Sequence, residues 1–409
     1  GVAGGDVLRD ARITQLTYFP EILTYLPALR AVQIQNRFGL FRAPLATGAF
    51  EPVEGFGAFA TGNSIVNGRV FPVTASPDGR YLVAIEPTSA AYGDLVLLAS
   101  DGSSRTKVAT GVELSTEQAP ARWSPDSRFF VYSRSGSLYY FSVNQHERGR
   151  VLGETFRELG PGTLSSVRWS EQSSLYYVSG SLVYEILGPE FFTRSLYSGL
   201  LQIGTIIGKL PFPFDPNFDS FHIGPDGETA LLNKGGRNLF LLFLDPDDFV
   251  DEGDVRGLPS LFLPRNTRVR QVLWSGFGYV TILAGSIEQG ESRSSIFRLN
   301  LRDQRANLVF EREAVEGVRQ MRLSPDGEQV ALLTETGVQF RSQTSWALEQ
   351  SVSFSEPVHA VWLDTRRLLV GGRATIEIVA AETGERNVLS LAQPDAHSVS
   401  DEGTILARA

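Results

Sequence analysis

The four residues Ser76-Pro77-Asp78-Gly79 return along most of the chain, and this recurrence restricts the possible folds more than any other feature. Close copies read Ser124-Pro125-Asp126-Ser127, Gly224-Pro225-Asp226-Gly227 and Ser324-Pro325-Asp326-Gly327. Weaker ones read Ser170-Glu171-Gln172-Ser173, Ser275-Gly276-Phe277-Gly278, Leu363-Asp364-Thr365-Arg366 and Ser400-Asp401-Glu402-Gly403. In a tight turn Ser caps locally, Pro presets φ at the second position, Asp is tolerated at the third and Gly accepts positive φ at the fourth. A strand must enter each turn and another leave it. Eight turns therefore read as eight repeated units.

The flanking residues agree. Before the turns apolar residues alternate at period two, as in Val167-Arg168-Trp169, Val272-Leu273-Trp274 and Ala360-Val361-Trp362. After them come short β-rich runs such as Tyr81-Leu82-Val83-Ala84-Ile85, Phe129-Phe130-Val131-Tyr132 and Val330-Ala331-Leu332-Leu333. Four of the five tryptophans, Trp123, Trp169, Trp274 and Trp362, sit immediately before a turn copy, which predicts that they pack between neighbouring sheets. The turns start at residues 76, 124, 170, 224, 275, 324, 363 and 400, so they are 48, 46, 54, 51, 49, 39 and 37 residues apart. Four short strands with their loops need about 40 to 50 residues, the length of a propeller blade. Helical periodicity and caps, which an α-solenoid would require, are almost absent.

The expected fold is all-β: a single β-propeller of four-stranded blades spanning residues 31–409, eight in number, or seven if the last half-unit forms no full blade. Residues 1–30, polar and then broken by Pro20 and Pro27, read as a lead that packs on this body. Ala31-Val32-Gln33-Ile34-Gln35 and Phe38-Gly39-Leu40-Phe41-Arg42 read as two outer strands of a unit, and residues 396–409 as its other half. Pairing of N- and C-terminal strands would then close the ring and bury its open edges. The longest spacing carries an insertion at about 190–219.

An apolar residue or Trp, then Ser-Pro-Asp-Gly, then an apolar strand, repeated along residues 69–409, resembles the WD-repeat-like propellers, most of all the Tol-system periplasmic (TolB-type) propeller. The Gly-His and Trp-Asp dipeptides of true WD repeats are absent, and several turns lack Pro or Gly. The resemblance implies a binding platform, a module beside a hydrolase or, in some members, an enzyme.

Composition excludes several classes. A formal charge of −9 and a pI near 5.2 disfavour nucleic acid and anionic bilayers as partners. The basic residues are nearly all arginines, scattered without a stripe. With no cysteine there are no disulfides, thiolate metal sites or cysteine nucleophiles. No apolar run approaches the roughly 18 residues of a membrane span, so a soluble, monomeric chain is expected. The start at Gly1 and the low charge suggest a processed periplasmic or extracellular protein, such as a trimmed envelope lipoprotein.

Candidate chemistry is sparse. His222, His359 and His397 lie one to three residues before turn copies, on strands that would line a central channel, where three imidazoles could meet a metal. Units four and seven are far apart in the repeat, so the expectation is channel-lining histidines and no metal or cofactor. The acidic loop 245–254 lacks the spacing of a preformed calcium loop. Gly55-Phe56-Gly57-Ala58-Phe59-Ala60 lacks the βαβ context of a dinucleotide site, and no Gly-x-Ser-x-Gly elbow occurs. The turn aspartates recur because the turn needs them. The insertion concentrates Phe191, Phe192, Tyr197, Phe212, Phe214 and Phe218, a composition favoured by interface anchors, although the same rings could cover apolar edges of the blade.

The expected function is thus a non-catalytic extracytoplasmic platform presenting loops to a protein or glycan in the cell envelope. The alternative is a carbohydrate-active enzyme, or the propeller of a larger hydrolase whose catalytic domain is not in this chain.

Overall fold

A computed structural model describes residues 22–36, 39–53, 71–115, 119–143, 146, 156–170, 173–186, 204–245, 257–276, 278–288, 291–303, 308–313, 315, 317–354, 357–372, 375–391, 397–399 and 405–407. They form eight four-stranded antiparallel sheets and one two-stranded hairpin, so the fold is an eight-bladed β-propeller. Helical structure among them is confined to the 3₁₀ turns Pro27–Leu29 and Leu164–Ser166 and to Val143 and His146. None is a helix long and apolar enough to cross a membrane.

Every sheet is built from strands consecutive in sequence. The first holds Ile22–Leu26, Ala31–Asn36, Gly39–Pro44 and Glu51–Pro52, and the second starts at Thr74–Ala75. The third to sixth start at Arg122–Trp123, Val167–Trp169, Ser220–Ile223 and Thr267–Ser275. The seventh and eighth start at Val318–Leu323 and Pro357–Trp362. By compactness the chain divides into two units. One comprises residues 1–110, 114–118 and 319–409, the other 111–113 and 119–318.

The recurring turn joins the first two strands of a sheet, and its side chains do more than permit the bend. The Ser76 hydroxyl donates to Asp78 Oδ1 at 2.6 Å and accepts from the Tyr81 amide at 3.0 Å, while Asp78 Oδ1 also accepts from the Arg80 amide at 3.1 Å. Ser124 with Asp126 and Ser324 with Asp326 repeat the pattern, with hydroxyl-to-carboxylate distances of 2.6 Å. Ser76, Ser124 and Ser324 are buried, so these bonds satisfy groups that water cannot reach. Where Gly224 replaces the serine, Asp226 turns instead to the Thr229 hydroxyl at 2.9 Å.

Cores lie between neighbouring sheets. In the first unit Phe340 packs edge-on against Trp362 between the seventh and eighth sheets. Val32, Ile34 and Phe41 meet Leu369 and Ile376 between the eighth and first, and Leu40 meets Leu82, Ala84 and Val96 between the first and second. In the second unit Val131, Leu138 and Tyr140 meet Val167 and Tyr177, with Trp169 packed alongside. Phe221 meets Val178 and Val183, and Leu239 and Leu241 meet Val280 and Ile282 with Trp274 at the margin. Trp169, Trp274 and Trp362 are therefore inter-sheet residues, as their position before the turns predicts, whereas Trp123 packs against Phe130 of its own sheet.

The count of eight arises differently from the eight turns. The first sheet has no copy of the turn and is complete within residues 22–52, because Ile22–Leu26 supplies a strand and Pro27 falls in the 3₁₀ turn after it. Pro27 thus starts a turn and breaks no strand, which is where proline costs nothing. Among the described strands the two chain ends share no sheet. His397–Val399 and Ile405–Ala407 pair with each other as a hairpin.

Candidate functional site

Two places in the second unit combine accessible chemistry with a rigid support. The first is the C-terminal leg of the insertion, which folds across the fourth and fifth sheets. Leu210 N donates to Ser181 O at 2.7 Å, and Thr163 and Ser165 donate their hydroxyls to Pro216 O at 3.3 and 3.2 Å. Asp219, 4% exposed, is the anchor. Its carboxylate accepts from the Asp215 amide at 2.7 Å, Lys234 Nζ at 2.6 Å and the Gly235 amide at 2.8 Å.

The six insertion aromatics are distributed by this geometry. Phe212 packs at a tilt against Phe240 with ring centroids 5.1 Å apart, and Phe214 packs into the same core, so both cover the edge of the blade. Phe218 instead is 64% exposed. It stands at the rim of a recess of about 380 Å³ lined by Asp215, Asp219, Lys234, Gly235, Arg237 and Asn238. Phe191, Phe192 and Tyr197 lie outside the described residues, as does the acidic stretch 246–254.

The second place is on the first strands of the third, fourth and fifth sheets. His222 is held by two hydrogen bonds. Arg168 donates from a terminal amino group to its Nδ1 at 3.2 Å, and its Nε2 lies 3.1 Å from the Ser220 hydroxyl, which also accepts from Asn233 Nδ2 at 3.2 Å. Arginine can only donate, so the imidazole carries its proton on Nε2. Burial, then the charges of Arg168 and Arg122, push His222 well below the usual histidine range, and it is neutral at pH 7. Burial and then the Arg122 charge lower the Arg168 guanidinium to about 9.

Arg122 occupies the same position relative to its turn as Arg168, on the adjacent sheet. Its Nε donates to Leu164 O at 2.9 Å, and the Trp169 indole donates to the Arg122 carbonyl at 3.1 Å. The side chain keeps solvent access, yet enough protein surrounds it to hold it below the ordinary arginine range. In the first unit Arg322 repeats this arrangement with Ala360 O at 2.8 Å and Trp362 at 3.1 Å.

Among the histidines named from the sequence, His222 is thus a fixed hydrogen-bond acceptor for Arg168. His359 lies on the first strand of the eighth sheet, and the His397 side chain is outside the described residues. Among the described residues no three His, Asp or Glu side chains are placed to hold a metal ion. The arginines look scattered along the sequence until the repeat is laid over them. Their signal was Arg-x-Ser at the turn: Arg122-Trp123-Ser124, Arg168-Trp169-Ser170 and Arg322-Leu323-Ser324.

No protein-family model and no curated protein matches the chain. Solved structures do. A eukaryotic initiation factor superimposes with a TM-score of 0.52 at 12% identity, over 91% of this chain and 89% of that one. The dihydro-heme d1 dehydrogenase NirN superimposes with a TM-score of 0.52 at 15% identity, over 91% and 75%. For Porphyromonas gingivalis dipeptidyl peptidase 4 the TM-score is 0.50 at 9% identity, over 94% of this chain but 61% of the peptidase. At these identities the likeness is one of fold, and the chain is a β-propeller similar to propellers of unrelated activity.

Proposed function

We propose that the chain is a non-catalytic binding platform outside the cytoplasm, taking a protein or glycan partner at the Phe218 recess. The observation that carries this is the exposed ring itself. A turn held by Asp215 and clamped by buried Asp219 keeps Phe218 in solvent beside charged and amide groups, whereas Phe212 and Phe214 from the same leg are packed away. A pre-positioned aromatic with a polar rim stacks on a sugar face or fills a pocket on a protein at little entropic cost. The small share of charged residues, 20%, and the Ser-Pro-Asp-Gly turns support an envelope setting and a Tol-system-like kinship.

The test compares the intact chain with Phe218→Ser on a glycan array and in capture from an envelope fraction. Loss of a ligand by the variant, with an unchanged unfolding midpoint, is expected. Identical ligands and recoveries for both chains would remove this face from the reading. Fractionation of the producing cells decides the compartment, and recovery in the cytoplasmic fraction would overturn that part.

A further inference from the structure

The arginine pair described above lies outside the Phe218 recess and has no role in it. Each guanidinium is fixed by the backbone: Arg122 through Nε to Leu164 O, and Arg168 through one terminal nitrogen to Val167 O at 2.6 Å. Each nonetheless keeps donors to spare. Arginine has five N–H groups, and Arg122 uses only its Nε among the described residues. Arg168 is further steadied by the His222–Ser220–Asn233 chain, and with His222 neutral no second cation is added there.

No carboxylate faces the pair among the described residues. Two like charges on neighbouring strands repel, and the partial burial of Arg168 raises the cost. This arrangement is unfavourable alone and favourable around a bound negative group, because two planar guanidiniums match the oxygens of an oxyanion. The setting sharpens the contrast, since the chain as a whole carries a charge of −9. In a propeller the first strands of the blades face the axis, where a ligand can enter from either end.

We propose that Arg122 and Arg168 together form a site for an oxyanion, the phosphate or carboxylate group of a ligand that enters along the first strands of the third and fourth sheets. Arg122 supplies the free donors and Arg168 the fixed second charge, while His222 is a positioning residue for Arg168.

The test titrates the intact chain with inorganic phosphate and, separately, with acetate, chloride keeping the ionic strength constant. Binding is read by calorimetry and by the rise of the unfolding midpoint, since a ligand that binds only the native state stabilises it by mass action. The His222 ring is followed by NMR, which is practicable with four histidines in the chain. A bound anion draws on the Arg168 guanidinium that donates to His222 Nδ1, so the signals of the ring shift on binding. Arg122→Gln should weaken binding by about tenfold or more, the effect of losing charge-assisted hydrogen bonds. Arg319→Gln, which removes an equal charge from an exposed ion pair with Glu335, should leave it unchanged. Phosphate binding alone, acetate binding alone or both would each support the site and name its preferred group. Absence of binding by either, binding equally weakened by Arg319→Gln, or binding that leaves His222 unmoved would overturn it. The His222 readout uses the unaltered protein, so a poorly folding variant does not remove the test.

Discussion

The indole of Trp169 donates to the carbonyl oxygen of Arg122 in the preceding sheet at 3.1 Å. Trp362 does the same to Arg322 at 3.1 Å, and each arginine answers through Nε with a bond to a carbonyl shortly before the tryptophan in sequence, Leu164 O in the 3₁₀ turn or Ala360 O in the strand. Neighbouring blades are thus joined by reciprocal bonds as well as by apolar packing. Trp274 holds the same place before its turn, but its Nε1 is buried without a partner.

This contrast gives a paired expectation. Trp362→Phe keeps an aromatic ring and removes a bond to a carbonyl, so it should cost about 1–2 kcal/mol. Trp274→Phe loses no bond and relieves an unsatisfied donor, and should cost less than half as much. Urea unfolding midpoints of the two variants measure the difference. Equal losses would mean that ring area alone matters.

The turn carboxylates set the acid limb of stability. In Asp78, Asp126 and Asp364 burial raises the pKa, but hydrogen bonds from the turn serine or neighbouring arginines outweigh it and hold each below the usual aspartate range. A carboxylate depressed in the folded state contributes stability above its unfolded pKa of about 3.9, and that contribution is lost as pH falls through the folded value. Stability should therefore fall as pH drops below about 4. The triple variant Asp78→Asn, Asp126→Asn, Asp364→Asn should start lower at neutral pH and show a shallower acid decline. Unfolding free energies at pH 7, 5 and 3 provide the check, and an unaltered slope would place the acid sensitivity elsewhere.

Glu377 is 2% exposed and receives Arg386 Nε at 2.6 Å, a terminal nitrogen of the same arginine at 2.8 Å and the Thr375 hydroxyl at 2.6 Å. Removing the arginine strands a buried carboxylate, so Arg386→Met should cost about 3–5 kcal/mol. Adding Glu377→Gln should recover a large part of that loss. A double-mutant cycle by denaturant unfolding reads the coupling, and simple additivity of the two changes would refute it.

Backbone strain is unequal among the turns. Gly79 has φ of +71°, and a Cβ there would stand 3.1 Å from the Leu29 side chain, so Gly79→Ala should destabilise by about 1–2 kcal/mol. Ser173 holds the equivalent place with φ of +64° and bears the left-handed cost already. Ser173→Gly should stabilise by about 0.5–1 kcal/mol, a net gain after glycine's entropy. Thermal midpoints of both variants test this opposition of sign.

Sheet architecture was legible because the turn repeats, with apolar alternation before it and an apolar run after it; Trp362 announced its place between sheets by standing next to a turn. The first blade was hidden because it has no turn copy and because Pro20 and Pro27 make residues 1–30 read as an irregular lead. Of the candidate residues, Phe212, Phe214 and Phe218 share one composition, and only the anchor at Asp219 separates covering rings from the exposed one. Arg122 and Arg168 are 46 residues apart in sequence and look scattered until the repeat length places them on adjacent strands.

Since each four-stranded sheet draws on one uninterrupted stretch of chain, and the first is complete by Pro52, no blade must wait for the last residues to be made. Synthesis can leave finished leaves behind it, and within the second unit each can dock on the one before. The final fit is then between Ile34 and Phe41 on one side and Leu369 and Ile376 on the other, a seam of interlocking side chains that can part without breaking a ladder.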